Sequence, residues 1–134
     1  MQAFQLHQPN SVASATQQRA GKDDARFLAG GQSLLAAMRL GLNSASELID
    51  LSKIPGLAGI KVDGNGIVIG AMTRHADVAA SADVKRLIPA LAALAGSIGD
   101  RQVRNMGTIG GSIANADPAA DYPAAVLGLG ATVQ

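Results

Sequence analysis

Two short segments of this 134-residue chain hold residue types that can grip a ligand through main-chain atoms. Gly30-Gly31-Gln32-Ser33 and Gly110-Gly111-Ser112 share one layout: an apolar lead-in, two glycines, a short hydroxyl side chain, then an apolar run. Glycine has no Cβ, so it reaches positive φ and lets a ligand touch the peptide plane. Successive N–H groups in such a bend point into one concavity. They favour anions, phosphates above all, because fixed donors and aligned dipoles replace lost water without reorganising. Two such nests in one small domain could hold the two halves of a pyrophosphate. For either Gly-Gly taken alone, the competing explanation is a tight strand-to-helix connection. There is no GxxxxGK[ST], and no GxGxxG follows a strand and opens a helix, which disfavours a nucleotide triphosphatase or a Rossmann binder.

Other polar residues near these segments have structural explanations. Asp117 before Pro118 reads as a helix cap, and Asp121 before Tyr122-Pro123 can cap a helix as well. Arg101 and Arg104 read as solvated surface. Thr73 is expected to cap a short helix carrying a partly buried His75. His7 and His75 lie far apart and outside any metal-ligand pattern, so no metal site is expected.

Composition narrows the class of function. Apolar residues make up 48% and charged residues 16%, which describes a globular protein. Its length suggests one compact domain or two small lobes sharing a core. Aromatic residues are limited to Phe4, Phe27 and Tyr122, leaving almost no base-stacking surface, and a net charge of +1 offers no stripe for a phosphate backbone or an anionic membrane. Nucleic acid and membrane insertion are therefore not expected. The absence of cysteine excludes disulfides, iron–sulfur clusters and thiolate zinc within this polypeptide. The opening MQAFQLHQPN lacks a signal-peptide pattern, and no apolar stretch approaches about 18 residues, so a cytoplasmic location is the default expectation.

The elements that must carry the glycine segments follow from periodicity. A strand is expected at 3–6, then a helix capped by Asn10 or Ser11 and running to about Arg19. A buried strand at 26–29 leads into the first glycine pair. Leu34, Leu35, Met38 and Leu42 then recur at helical spacing, with Gly41 as the stop. A strand over 47–51 follows, and Pro55-Gly56 marks the boundary between a first lobe, 1–55, and a second, 56–134. Ile60–Asp63 and Ile67–Ile69, joined by Gly64-Asn65-Gly66, predict an antiparallel hairpin. Leu87, Leu91, Leu94 and Ile98 form one helical stripe that Pro89 can open. Pro123 can start a last helix to about Leu129, and residues 131–134 begin a strand. Helices and strands mix without a strict βαβ rhythm, and the hairpin demands an antiparallel pair, so α+β is the expected class rather than a doubly wound parallel sheet.

Taken together, AGGQSL at 29–34 and RNMGTIGGSIANADPAADYPA at 104–124 resemble the FAD-binding, or medium, subunit of the xanthine dehydrogenase and aerobic carbon monoxide dehydrogenase family of molybdenum hydroxylases. GLAGI at 56–60 and IGAMTRHADV at 69–78 match that family's spacing, so the resemblance extends over essentially all of the sequence. It implies a flavin cleft between two α+β lobes. The FAD-binding residues it implies are Ala29, Gly30, Gly31, Gln32, Ser33 and Leu34 in one grip and Thr108, Ile109, Gly110, Gly111 and Ser112 in the other, with Asp121 as a further contact. Ser112 stands where many relatives have asparagine. The resemblance further implies an oxidoreductase flavoprotein that takes electrons from an iron–sulfur small subunit, beside a molybdopterin large subunit, and passes them through FAD to an external acceptor. Relatives of that family run on past the position of Gln134, so the second lobe is expected to be incomplete, with truncation at the C-terminal end. Two competing readings are a cofactor-free subunit-interaction module, or fragment of such a subunit, and an unrelated Gly-rich dinucleotide binder that prefers NAD.

Overall fold

The computed structural model describes residues 2–134. The N-terminal part alternates strand and helix: β1 (Gln5–His7), α1 (Val12–Arg19), β2 (Arg26–Leu28), α2 (Leu34–Arg39) and β3 (Glu47–Asp50). All pairings are parallel and the order is β1-β3-β2, so β3 is the central strand. A βαβ rhythm thus exists here, against expectation. It was hidden because β1 and β2 are only three residues long, too short to show a period. Leu48 and Ile49 of β3 are fully buried and point to opposite faces, each seeding its own apolar cluster. The edge strand β2 is less buried than expected, with Phe27 exposed.

Local chemistry sets the helix ends. The Ser11 hydroxyl accepts from the Ser14 N–H at 3.1 Å and caps α1, a contact worth about 1 kcal/mol. Gly41 carries φ +72° just beyond α2, so the stop is where it was expected, but Leu42 lies past the helix and is exposed. A 3-10 turn at Leu51–Lys53, opened by the Asp50 carboxylate on the Ser52 N–H, then leads away from the sheet.

The second part begins with the hairpin β4 (Ile60–Asp63) and β5 (Gly66–Ile69), antiparallel with Asp63 opposite Gly66, so the loop is the two residues Gly64-Asn65. Gly64 has φ +57°. Six helices follow: α3 (His75–Ala80), α4 (Ala82–Leu87), α5 (Pro89–Ser97), α6 (Arg101–Met106), α7 (Ile109–Asn115) and α8 (Asp121–Gly128). The core of this part gathers Val78, Val84, Leu91, Ala92, Ala95, Ile109 and Tyr122, with Ile60, Ile67 and Ile69 of the hairpin packed on it.

Several local expectations are corrected here. Leu87 closes α4 and Pro89 opens α5, so the stripe is split between two helices: proline lacks the N–H that would continue the first one. Asp117 caps no helix; its carboxylate turns back onto the Ala119 N–H at 2.9 Å in a local turn. The last helix starts at Asp121, so Pro123 sits inside its first turn. Residues 131–134 form no strand.

Candidate functional site

The two glycine segments lie side by side. A Cβ on Gly30 would collide with the Met106 carbonyl oxygen and come within 2.7 Å of Gly107 Cα, so the first segment rests directly on the approach to the second. A Cβ on Gly111 would lie 3.2 Å from the Ala29 side chain. Ala29–Ser33 and Gly107–Gly111 therefore share one surface, built from stretches about eighty residues apart in the sequence.

The first segment follows β2 and turns through Gly31, whose φ of +74° only glycine takes without strain. The Gly31 carbonyl accepts from the Leu35 N–H at 3.1 Å and the Ser33 carbonyl from Ala37 N–H at 2.9 Å, which ties the turn to α2. Among the described residues, the N–H groups of Gly30, Gly31, Gln32 and Ser33 donate to no protein acceptor. Gln32 and Ser33 are exposed, and the Ser33 hydroxyl makes no capping bond. This is an open cradle of main-chain donors.

The second segment is different, and here the expected nest is corrected. Gly110 and Gly111 have ordinary helical φ and belong to the first turn of α7. Their donors are already committed: Ile109 N–H to Thr73 carbonyl at 3.0 Å, Gly110 N–H to Ala71 carbonyl at 2.8 Å, Gly111 N–H to Thr108 Oγ1 at 3.1 Å, and Ser112 N–H to Thr108 carbonyl at 3.0 Å. These glycines serve close packing. A Cβ on Gly110 would sit 2.5 Å from the Ala71 side chain, and one on Gly111 would sit 2.8 Å from Thr108 Oγ1. Thr108 is buried and caps α7, while Ser112 remains half-buried on the helix surface.

Residues 70–75 hold the site together, a role the sequence pattern did not reveal. Thr73 does not cap α3. Its buried hydroxyl accepts from Gly59 N–H at 2.9 Å and donates to Gly59 carbonyl at 3.1 Å, clipping the 57–59 stretch in place. Arg74 and Thr108 form an isolated antiparallel bridge, and His75 N–H donates to Gly107 carbonyl at 3.0 Å. His75 is buried outright rather than partly, and its Nε2 stands 2.5 Å from where a Gly107 Cβ would be. Burial lowers the His75 pKa, with the Asp121 carboxylate pulling weakly the other way. Burial likewise raises that of Tyr122, and Asp121 adds to the rise. Asp121 is exposed in the first turn of α8, where its negative charge also suits the helix N-terminus.

Away from this surface, an open groove of about 700 Å³ is lined by Gln2 and residues 38–44 and holds none of the residues of the two glycine segments. Among the described residues, no group of three His, Cys, Asp or Glu could hold a metal ion, and no helix is long and apolar enough to cross a membrane.

The mixed α and β domain brings its two glycine segments onto one surface, and comparison with known proteins supplies the family. Residues 2–134 match the family described as the FAD binding domain in molybdopterin dehydrogenase. The chain belongs to that family, and FAD is the cofactor this membership assigns to it. It is 41% identical to the glyceraldehyde dehydrogenase medium chain of Sulfolobus acidocaldarius over 97% of this chain and 46% of that protein. Against the carbon monoxide dehydrogenase medium chain of Hydrogenophaga pseudoflava, identity is 46% over 90% of this chain and 42% of the relative. The solved carbon monoxide dehydrogenase from Hydrogenophaga pseudoflava superposes with a TM-score of 0.90, covering 92% of this chain and 44% of that one at 46% identity. The chain thus spans less than half the length of these relatives.

Proposed function

We propose that this chain is the FAD-binding part of an electron-transfer subunit of a molybdenum hydroxylase, and that FAD lies across the junction of the two glycine segments. The observation that carries this reading is the open row of N–H groups at Gly30, Gly31, Gln32 and Ser33, pressed against the Gly107–Gly111 turn. Fixed donors of this kind suit a diphosphate, and a side chain at Gly30 or Gly31 would fill or distort the cradle. The residues present fit the cofactor.

In this reading Ala29, Gly30, Gly31, Gln32, Ser33 and Leu34 bind the diphosphate through the main chain. Thr108, Ile109, Gly110, Gly111 and Ser112 form the facing wall: Gly111 lets α7 pack close beside Ala29, the buried Thr108 hydroxyl holds the Gly111 N–H, and the half-buried Ser112 hydroxyl is free to reach the ligand. The Asp121 carboxylate accepts from a ligand hydroxyl. Bound FAD supplies the redox chemistry, and the protein supplies binding and orientation. Electrons would come from an iron–sulfur small subunit, beside a molybdopterin large subunit, and leave to an external acceptor. Residues 1–55 and 56–134 act as two lobes flanking the flavin cleft.

Titration of the purified protein with FAD tests this. A shifted flavin absorption band is expected, much weaker with riboflavin, which lacks the diphosphate. Gly111→Val, which crowds Thr108 and Ala29, should abolish the shift. A folded parent protein that leaves the flavin spectrum unchanged at saturating FAD defeats the reading and leaves a cofactor-free docking module in its place.

A further inference from the structure

His75 and Tyr122 are buried polar side chains to which flavin binding gives no task. Tyr122 is fully buried and His75 is 5% exposed. Their ring centroids are 5.2 Å apart, with the planes tilted by 44°. His75 Nδ1 and Tyr122 Oη are both sealed from solvent, and neither has a hydrogen-bond partner among the described residues. An unpaired buried donor or acceptor forfeits its full desolvation free energy, and protein interiors rarely leave two such groups as neighbours. A single water that accepts from the tyrosine hydroxyl and donates to a neutral imidazole nitrogen would satisfy both groups.

We propose that a single buried water joins Tyr122 Oη to His75 Nδ1 and pins α8 to α3, so that Asp121 and the Gly107–Gly111 turn move as one rigid wall. The wall's role in holding FAD rests on the flavin reading above; the pin itself does not. His75 donates its main-chain N–H to Gly107, and its ring lies against Gly107 with no side chain between. Tyr122 is the residue after Asp121, so the water adds a polar link to the apolar packing of Tyr122 against Ile109 and α5. Burial disfavours the imidazolium, and a neutral ring keeps one nitrogen able to accept a hydrogen bond. His75 is on this account a positioning residue and touches no reacting atom.

Urea unfolding of the 134-residue chain without flavin tests the pin through Tyr122→Phe, His75→Phe and the double variant. Tyr122→Phe is expected to lower the folding constant roughly three- to tenfold, the worth of one buried hydrogen bond. That loss should vanish in the His75→Phe background and persist in His75→Asn, whose amide can stand in for Nδ1. An unchanged or raised folding constant for Tyr122→Phe overturns the pin, as does an equal loss with and without His75. Should His75→Phe fail to fold, NMR of the unaltered protein decides: a nuclear Overhauser contact from a long-lived water to the His75 ring and the Tyr122 ring supports the pin, and the absence of any bound water there overturns it. Coupled unfolding in a protein that binds no FAD keeps the pin and retires the flavin reading. FAD binding with no coupling does the reverse.

Discussion

Residues 29–34 and 108–112 carry almost the same short pattern, apolar, Gly-Gly, hydroxyl, apolar, and they fold in opposite ways. In the first, Gly31 takes φ +74° and four successive N–H groups have no acceptor among the described residues. In the second, both glycines are helical and every N–H from Ile109 to Ser112 is bonded within the protein. The first pair of glycines leaves a row of unbonded main-chain donors at the surface. The second makes a packing surface, letting α7 press against Ala71 and Ala29. The difference arises outside the segments: Thr108 caps the second one and the 71–73 stretch offers carbonyls to it, while no described residue offers acceptors to the first.

The largest expected contrast is in amide exchange. Without FAD, the N–H groups of Gly30–Ser33 should exchange orders of magnitude faster than those of Ile109–Ser112, and adding FAD should slow the first set strongly and the second little. Equal protection of both sets before FAD is added would erase the distinction. Next comes Gly30→Ala, whose new methyl strikes the Met106 carbonyl. It should cost about 3 kcal/mol in urea unfolding and lose FAD binding with it. Gly31→Ala meets mainly the end of the flexible Leu35 side chain, so strain at positive φ dominates, about 1–2 kcal/mol. A Gly31→Ala loss larger than that of Gly30→Ala would show that backbone conformation, not contact, sets the junction.

Thr108→Val removes the cap on Gly111 N–H and should destabilise by about 1 kcal/mol. It also frees a donor in the second segment, so FAD affinity measured beside stability shows whether that donor can serve a ligand. The smallest effect concerns pH. The His75 pKa lies below the ordinary value of 6.5 in the folded state, so the unfolded state takes up its proton first as pH falls. His75 therefore leaves stability unchanged above about pH 6.5 and lowers it as pH drops below that. Comparing the pH profile of the parent with that of His75→Phe isolates this slope; parallel profiles would remove the histidine from the account.

Elements governed by neighbours in sequence were legible. The hairpin follows from glycine at the turn and alternating apolar residues, α1 from Ser11, and the start of α5 from Pro89. Elements decided by distant partners were not. Thr73 has the residue type of a cap and instead serves Gly59, because that stretch packs close enough to compete for its hydroxyl. Asp117 resembles a cap yet closes its own turn. The parallel pairing of β1, β2 and β3 was unreadable from strands of three or four residues, whose stability comes from packing Leu48 and Ile49.

By itself, the amino-acid sequence determined that two glycine pairs exist where a backbone can bend or approach closely, that no cysteine chemistry is available, and that the family's flavin-binding pattern is present. Only the tertiary structure decided which pair stays open. Glycine permits both a free cradle and a tight contact. The choice depends on whether carbonyls and hydroxyls from remote segments reach its N–H groups, and that is a property of the packed molecule.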